Sequence, residues 1–76
     1  MLDEKVSVII PMYNSSKHIE ECIQSILNQT YENIELIIVD DKSKDNSTQI
    51  VKKFNDNRIK LIELQEMYMM QVMNQL

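Results

Sequence analysis

The chain contains no glycine and no tryptophan, and its 76 residues include one proline, one cysteine and one histidine. Each scarcity removes a class of protein. Without glycine, neither the G-x-G-x-x-G turn that brings a backbone against a pyrophosphate nor the G-x-x-x-x-G-K-[ST] phosphate loop can be built. Cys22 alone excludes an internal disulfide, and Cys22 with His18 falls short of the four ligands of a usual structural zinc site. A formal charge of −4, with acids and bases interspersed, argues against a nucleic-acid partner, which would meet a basic face. No run approaches the ~20 apolar residues of a transmembrane span, and the opening "MLDEK" lacks the basic-then-apolar plan of a signal peptide, so the expected address is the cytoplasm. A chain this short buries only about 60% of its unfolded surface. Its core is thin, and support from a partner or a larger fold is expected.

What is present is strongly patterned. Residues 6–10, "VSVII", are β-branched and almost wholly apolar, and Pro11 closes them; residues 34–39, "IELIIV", form a second such run. Continuous runs of this kind suit strands buried on both faces of a parallel sheet. Between them Ile19, Cys22, Ile23, Ile26 and Leu27 draw one apolar stripe at helical spacing, with Ser15 and Ser16 available as N-caps. After "DDKSKDNS", a stretch of turn and cap formers, Asp45, Asn46 or Ser47 can start a second helix carrying Ile50, Val51 and Phe54. "NDNR" breaks it, and residues 59–64 read as a third strand. Met69, Val72, Met73 and Leu76 recur at helical spacing in the last ten residues. The expectation is an α/β fold, a Rossmann-like βαβαβ unit with parallel strands, right-handed crossovers and a short C-terminal helical tail.

In such sheets ligands bind at the carboxyl ends of the strands. "PMYN" and "DDKS" both occupy that edge, on strands expected to be neighbours. Tyr13 offers a ring on which a base can stack, and an ionised aspartate accepts hydrogen bonds from an imide N–H or a ribose hydroxyl pair. Those properties describe a nucleoside pocket better than a phosphate cradle. The segment "VSVIIPMYNSSKHIEECIQSILNQTYENIELIIVDDKSKDNSTQIV" resembles the N-terminal segment of family 2 glycosyltransferases, inverting enzymes with a GT-A fold. The likeness covers about residues 5–66, through "IKLIEL". It implies that Tyr13 packs on the nucleotide base with Pro11 beside it, that Asp41 meets the uracil imide, and that Asp40 supports the same pocket. The implied ligand is a nucleotide sugar, most often a UDP-sugar.

Departures from that family pattern set the remaining expectations. Lys42 stands where the family usually has glycine, in D-D-G-S. No Asp-x-Asp, the family's Mn²⁺ or Mg²⁺ site, occurs in the chain, so no metal site and no catalytic residue are assigned to it, and catalysis by this chain alone is not expected. Residues 1–66 read as the nucleotide-binding part of a truncated family domain, and residues 67–76 as an atypical Met-rich tail. The competing reading is an inert α/β module that self-associates or binds a partner through its sheet edge and that tail. His18, Lys42 and Lys44 read as solvated, and Cys22 as a small buried hydrophobe.

Overall fold

The computed structural model describes residues 4–64. Five elements alternate along the chain: β1 (Val6–Met12), α1 (Ile19–Leu27), β2 (Ile34–Asp41), α2 (Ser47–Lys52) and β3 (Ile59–Leu64). The strands form one parallel sheet in the order β1-β2-β3. This is the expected α/β, Rossmann-like arrangement. The expected C-terminal helical tail, residues 67–76, lies outside the described residues.

Among the described residues the core forms on one face only. Val8, Ile10 and Met12 of β1, Leu36 and Ile38 of β2, and Ile59 and Leu61 of β3 pack with Ile19 and Ile23 of α1 and Val51 of α2. Both helices therefore cover the same side of the sheet. Residues paired in register share a face, so Ile9 with Ile37, Pro11 with Val39, and Val39 with Ile62 line the opposite side. There Ile9 is 64% exposed and Ile62 43%. The expectation of strands buried on both faces is thus corrected. Two crossovers running the same way across a sheet place both helices on one face, and a third layer would be required to bury the other.

Local corrections follow from the same geometry. β1 runs through Pro11 to Met12 instead of stopping at the proline. Val6 donates its N–H to Asn33 at 3.0 Å, and strand alternation then turns the nitrogen of Pro11 to the open edge, where no N–H is needed. Helix α1 begins at Ile19 with His18 as N-cap and no side-chain cap bond, after a turn in which the Ser15 carbonyl accepts from His18 and Ile19. Ser15 and Ser16 are not its caps. Helix α2 is short, and Phe54 packs on the core from beyond its end. Cys22 is exposed, at the border of the apolar stripe instead of within it. At the amino edge, Arg58 binds Asp56 at 2.9 Å and reaches the Glu32 carbonyl at 3.4 Å. That contact holds the Asp56 carboxyl below its usual range.

Leu36 is fully buried at the centre of this thin core. Leu36→Ala is expected to cost about 2–5 kcal/mol, enough to erase cooperative urea unfolding in so small a domain. Cys22→Ser is expected to stay within about 0.5 kcal/mol of the parent.

Candidate nucleotide site at the carboxyl edge of the sheet

Strand β2 continues two residues further than its apolar run, so Asp40 and Asp41 both belong to it. Alternation then sends the adjacent carboxylates to opposite faces. Asp40 turns to the helix-covered face and is 3% exposed, whereas Asp41 is exposed on the other. A buried carboxylate must find donors. Asp40 finds two, the backbone N–H of Ser43 at 3.1 Å and the Ser43 hydroxyl.

From Ser43 the hydrogen bonds pass to the neighbouring loop. Ser43 Oγ accepts the N–H of Asn14 at 2.8 Å, and Asn14 Oδ1 accepts the N–H of Lys44 at 2.7 Å. A second bridge lies beside the first. Asp45 accepts from the N–H of Ser16 at 3.1 Å, the N–H of Ser47 at 3.0 Å and the Ser47 hydroxyl, while Ser47 Oγ accepts the N–H of Ser15 at 2.8 Å. Asp45 thereby also satisfies the first N–H of α2, whose N-cap is Asn46, one of the three starts expected for that helix. These donors, the Ser47 hydroxyl first and partly opposed by burial, lower the Asp45 carboxyl to about 2. Two loops some thirty residues apart in sequence are latched along their length.

The latch requires two left-handed residues, Asn14 at φ 46° and Lys42 at φ 58°. Asparagine tolerates that region through its short polar side chain; lysine does not. The expected conformational cost of lysine in place of glycine is present in the backbone.

Outside the latch stand Tyr13 and Asp41. Met12 pairs with Asp40 in the parallel register; Asp41 is the next residue on β2, and Tyr13 is the first residue after β1. Adjacent strands lie roughly 4.8 Å apart, so Tyr13 and Asp41 leave the sheet side by side. Tyr13 is 57% exposed, and neither its hydroxyl nor the Asp41 carboxylate has a hydrogen-bond partner among the described residues. Pro11 lies one residue before Met12 on β1, exposed on the Asp41 side of the sheet. The register thus sets Pro11 and Asp41 on one face at the surface, with the exposed Tyr13 just past the end of β1, while Asp40 lies beneath. Ser43, Asp45 and Ser47 read in the sequence as turn and cap formers, and Asn14 only as the end of "PMYN". The one signal for their pairing was the placement of both loops at the same sheet edge.

Tyr13 and Asp41 are exposed at this edge. An apolar groove of about 460 Å³ lies at the other end of β1, between Val6, Val8, Ile26 and Tyr31. Among the described residues no group of three or more His, Cys, Asp or Glu side chains could hold a metal ion. The described residues thus offer no ligand set that fits a divalent cation. No described helix is long and apolar enough to cross a membrane.

A parallel three-stranded sheet with helices as crossovers defines a Rossmann-like α/β unit. Comparison with known proteins narrows the class: residues 7–70 match the family described as Glycosyl transferase family 2. The chain belongs to that family. It is 48% identical over 63 residues to the glycosyltransferase GlyG of Streptococcus pneumoniae serotype 4, covering 80% of this chain and 21% of that protein. It is also 48% identical over 62 residues to the Escherichia coli protein WfgD, a UDP-Glc:alpha-D-GlcNAc-diphosphoundecaprenol beta-1,3-glucosyltransferase, covering 82% of this chain and 24% of that protein. The chain spans about a quarter or less of the length of these relatives. The family match continues past Glu66 to residue 70, into the stretch read from the sequence as tail.

Two outcomes test the latch. Lys42→Gly is expected to raise the unfolding free energy by about 0.5–1 kcal/mol, measured by urea denaturation. The Asp45 carboxyl, lowered when folded and near 3.8 when free, stabilises the fold fully above about pH 4 and progressively less as pH falls toward 2. The urea midpoint is expected to drop across that window, and Asp45→Asn to flatten the drop.

Proposed function

We propose that this chain forms the nucleoside-binding part of a family 2 glycosyltransferase whose donor is a UDP-sugar. The observation that carries the reading is the division of labour in "DD": Asp40 is consumed inside the latch, leaving Asp41 without a partner among the described residues, at the same sheet edge as the exposed Tyr13. In this reading the uracil ring stacks on Tyr13, with Pro11 as the apolar floor beside it. Asp41 accepts the imide N–H, and Asp40 acts by positioning the loop. Sequence identity to WfgD, whose name specifies UDP-Glc, supports the choice of uridine. The complete family domain would transfer the sugar with inversion: the acceptor hydroxyl attacks the anomeric carbon in line, loses its proton to a carboxylate base, and the nucleoside diphosphate departs. The described residues contribute binding and orientation to that reaction, and no described residue is assigned as the base. The divalent metal and the acceptor site belong to the complete domain. A cytoplasmic address is part of the same reading.

The test is a titration of the purified chain with UDP, without and with Mn²⁺, followed by NMR. Binding on the order of millimolar is expected, with shifts centred on Tyr13 and Asp41. Asp41→Ala and Tyr13→Ala are each expected to weaken it about tenfold, in line with roughly 1–3 kcal/mol for a stacked base or a charge-assisted hydrogen bond. A UDP methylated at uracil N3, which lacks the imide proton, is expected to lose as much as Asp41→Ala. Equal binding of the methylated and parent nucleotides by a folded chain would overturn the reading.

A further inference from the structure

Tyr13 is the first residue past β1, it is exposed, and its hydroxyl has no partner among the described residues. No side-chain bond sets where the ring lies, so the backbone must. Peptide units are planar, and a residue's φ and ψ are fixed once the planes on either side of it are fixed. The direction of its Cα–Cβ bond is then fixed as well. The plane before Tyr13 follows from the strand, where Met12 pairs with Asp40. The plane after it, the Tyr13–Asn14 peptide, is held at both polar ends. Its N–H donates to Ser43 Oγ at 2.8 Å, and its carbonyl accepts the Ser15 hydroxyl at 3.1 Å.

Each of these two serines is itself held. Ser43 has one hydroxyl proton and gives it to the Asp40 carboxylate. Its lone pairs are left to accept, and the carboxylate polarises the hydroxyl into a stronger acceptor. Ser15 donates its own N–H to Ser47 Oγ at 2.8 Å. We infer that Ser43 is a positioning residue for the nucleoside: it links the buried Asp40 carboxylate to the Tyr13–Asn14 peptide, and so fixes the direction in which Tyr13 leaves the backbone. Ser15 holds the other end of the same peptide. The inference rests on the reading of Tyr13 as the platform for the base. Asp40 acts on the first loop only through Ser43, to which both bonds of its carboxylate go. A platform fixed in advance gives up no backbone freedom when the base arrives, and the difference appears as affinity.

The test reads the full chain by ¹⁵N relaxation and by titration with UDP, both on the resonances of the folded protein. In the parent the Asn14 N–H is expected to be as rigid as the amides of β1, with an order parameter of about 0.85. In Ser43→Ala it is expected to fall below about 0.6, and the affinity for UDP to drop about five- to tenfold. Ser43→Thr, which keeps the hydroxyl, is expected to restore both. Added to Tyr13→Ala, Ser43→Ala is expected to cost no further affinity, because no ring is left to position. A serine that only stabilised the fold would lower the urea midpoint and leave the affinity of the folded protein unchanged. Affinity lost in Tyr13→Ala but kept in Ser43→Ala therefore overturns this inference and leaves the nucleotide reading standing. Affinity kept in both overturns the nucleotide reading, and this inference with it. Ser15→Ala leaves Asp40 both of its donors and serves if Ser43→Ala does not fold, with an expected loss of about threefold. A parent Asn14 amide as mobile as a flexible loop overturns the inference whether or not UDP binds.

Discussion

A carboxylate buried against a thin core is costly unless its oxygens are met by donors, and Asp40 is the only carboxylate among the described residues with that degree of burial. Its partner, Ser43, lies three residues on, so the chain must turn back at once, and that turn places Lys42 in the left-handed region. The same serine then accepts from Asn14 of the neighbouring loop. One buried charge thus fixes the course of its own loop and ties it to the next. The Asp45 bridge repeats the device one step further out. Net contributions of such bonds are individually about 1 kcal/mol, but each also prevents a buried polar group from being left without a partner.

The latch explains why the carboxyl edge can present a defined surface in so small a chain. Exposed loops ordinarily have few constraints. Here three consecutive backbone N–H groups of the first loop, those of Asn14, Ser15 and Ser16, and the Asn14 side chain are engaged by the second, so Tyr13 is carried between strand β1 and a latched segment. Asp41 is held by the strand itself. The residues proposed to meet the nucleoside are those the latch leaves unused, and those that build the latch are placed by it beneath the surface.

Much of this was legible in the sequence. The alternation of β-branched runs with helical stripes gave all five elements and the parallel topology, and the third strand's bounds agree with the structure. The family resemblance rested on "PMYN", "SILNQTY" and "IVDD", and the family match bears it out. The errors share a cause: apolar runs report burial without reporting faces. Ile9 and Ile62 are as apolar as Ile10 and Leu61, yet no described element covers their face, and both are exposed. Period-two alternation carried two residues past Val39 separates Asp40 from Asp41, but only if the strand is known to continue through polar residues. The latch was beyond reach for a different reason. Its bonds join positions about thirty residues apart, and local preferences of Asn, Ser and Asp specify turns without specifying partners.

Amide hydrogen exchange tests the central claim most directly. The N–H groups of Asn14, Ser15, Ser16 and Lys44 lie in surface loops, yet each donates to a side chain of the facing loop, or in Lys44 to Asn14. The account predicts protection of these four amides approaching that of β1 and β2, lost together in Ser43→Ala combined with Asp45→Ala. Exchange of all four at the rate of an unstructured peptide, in a chain whose strand amides are protected, would contradict it.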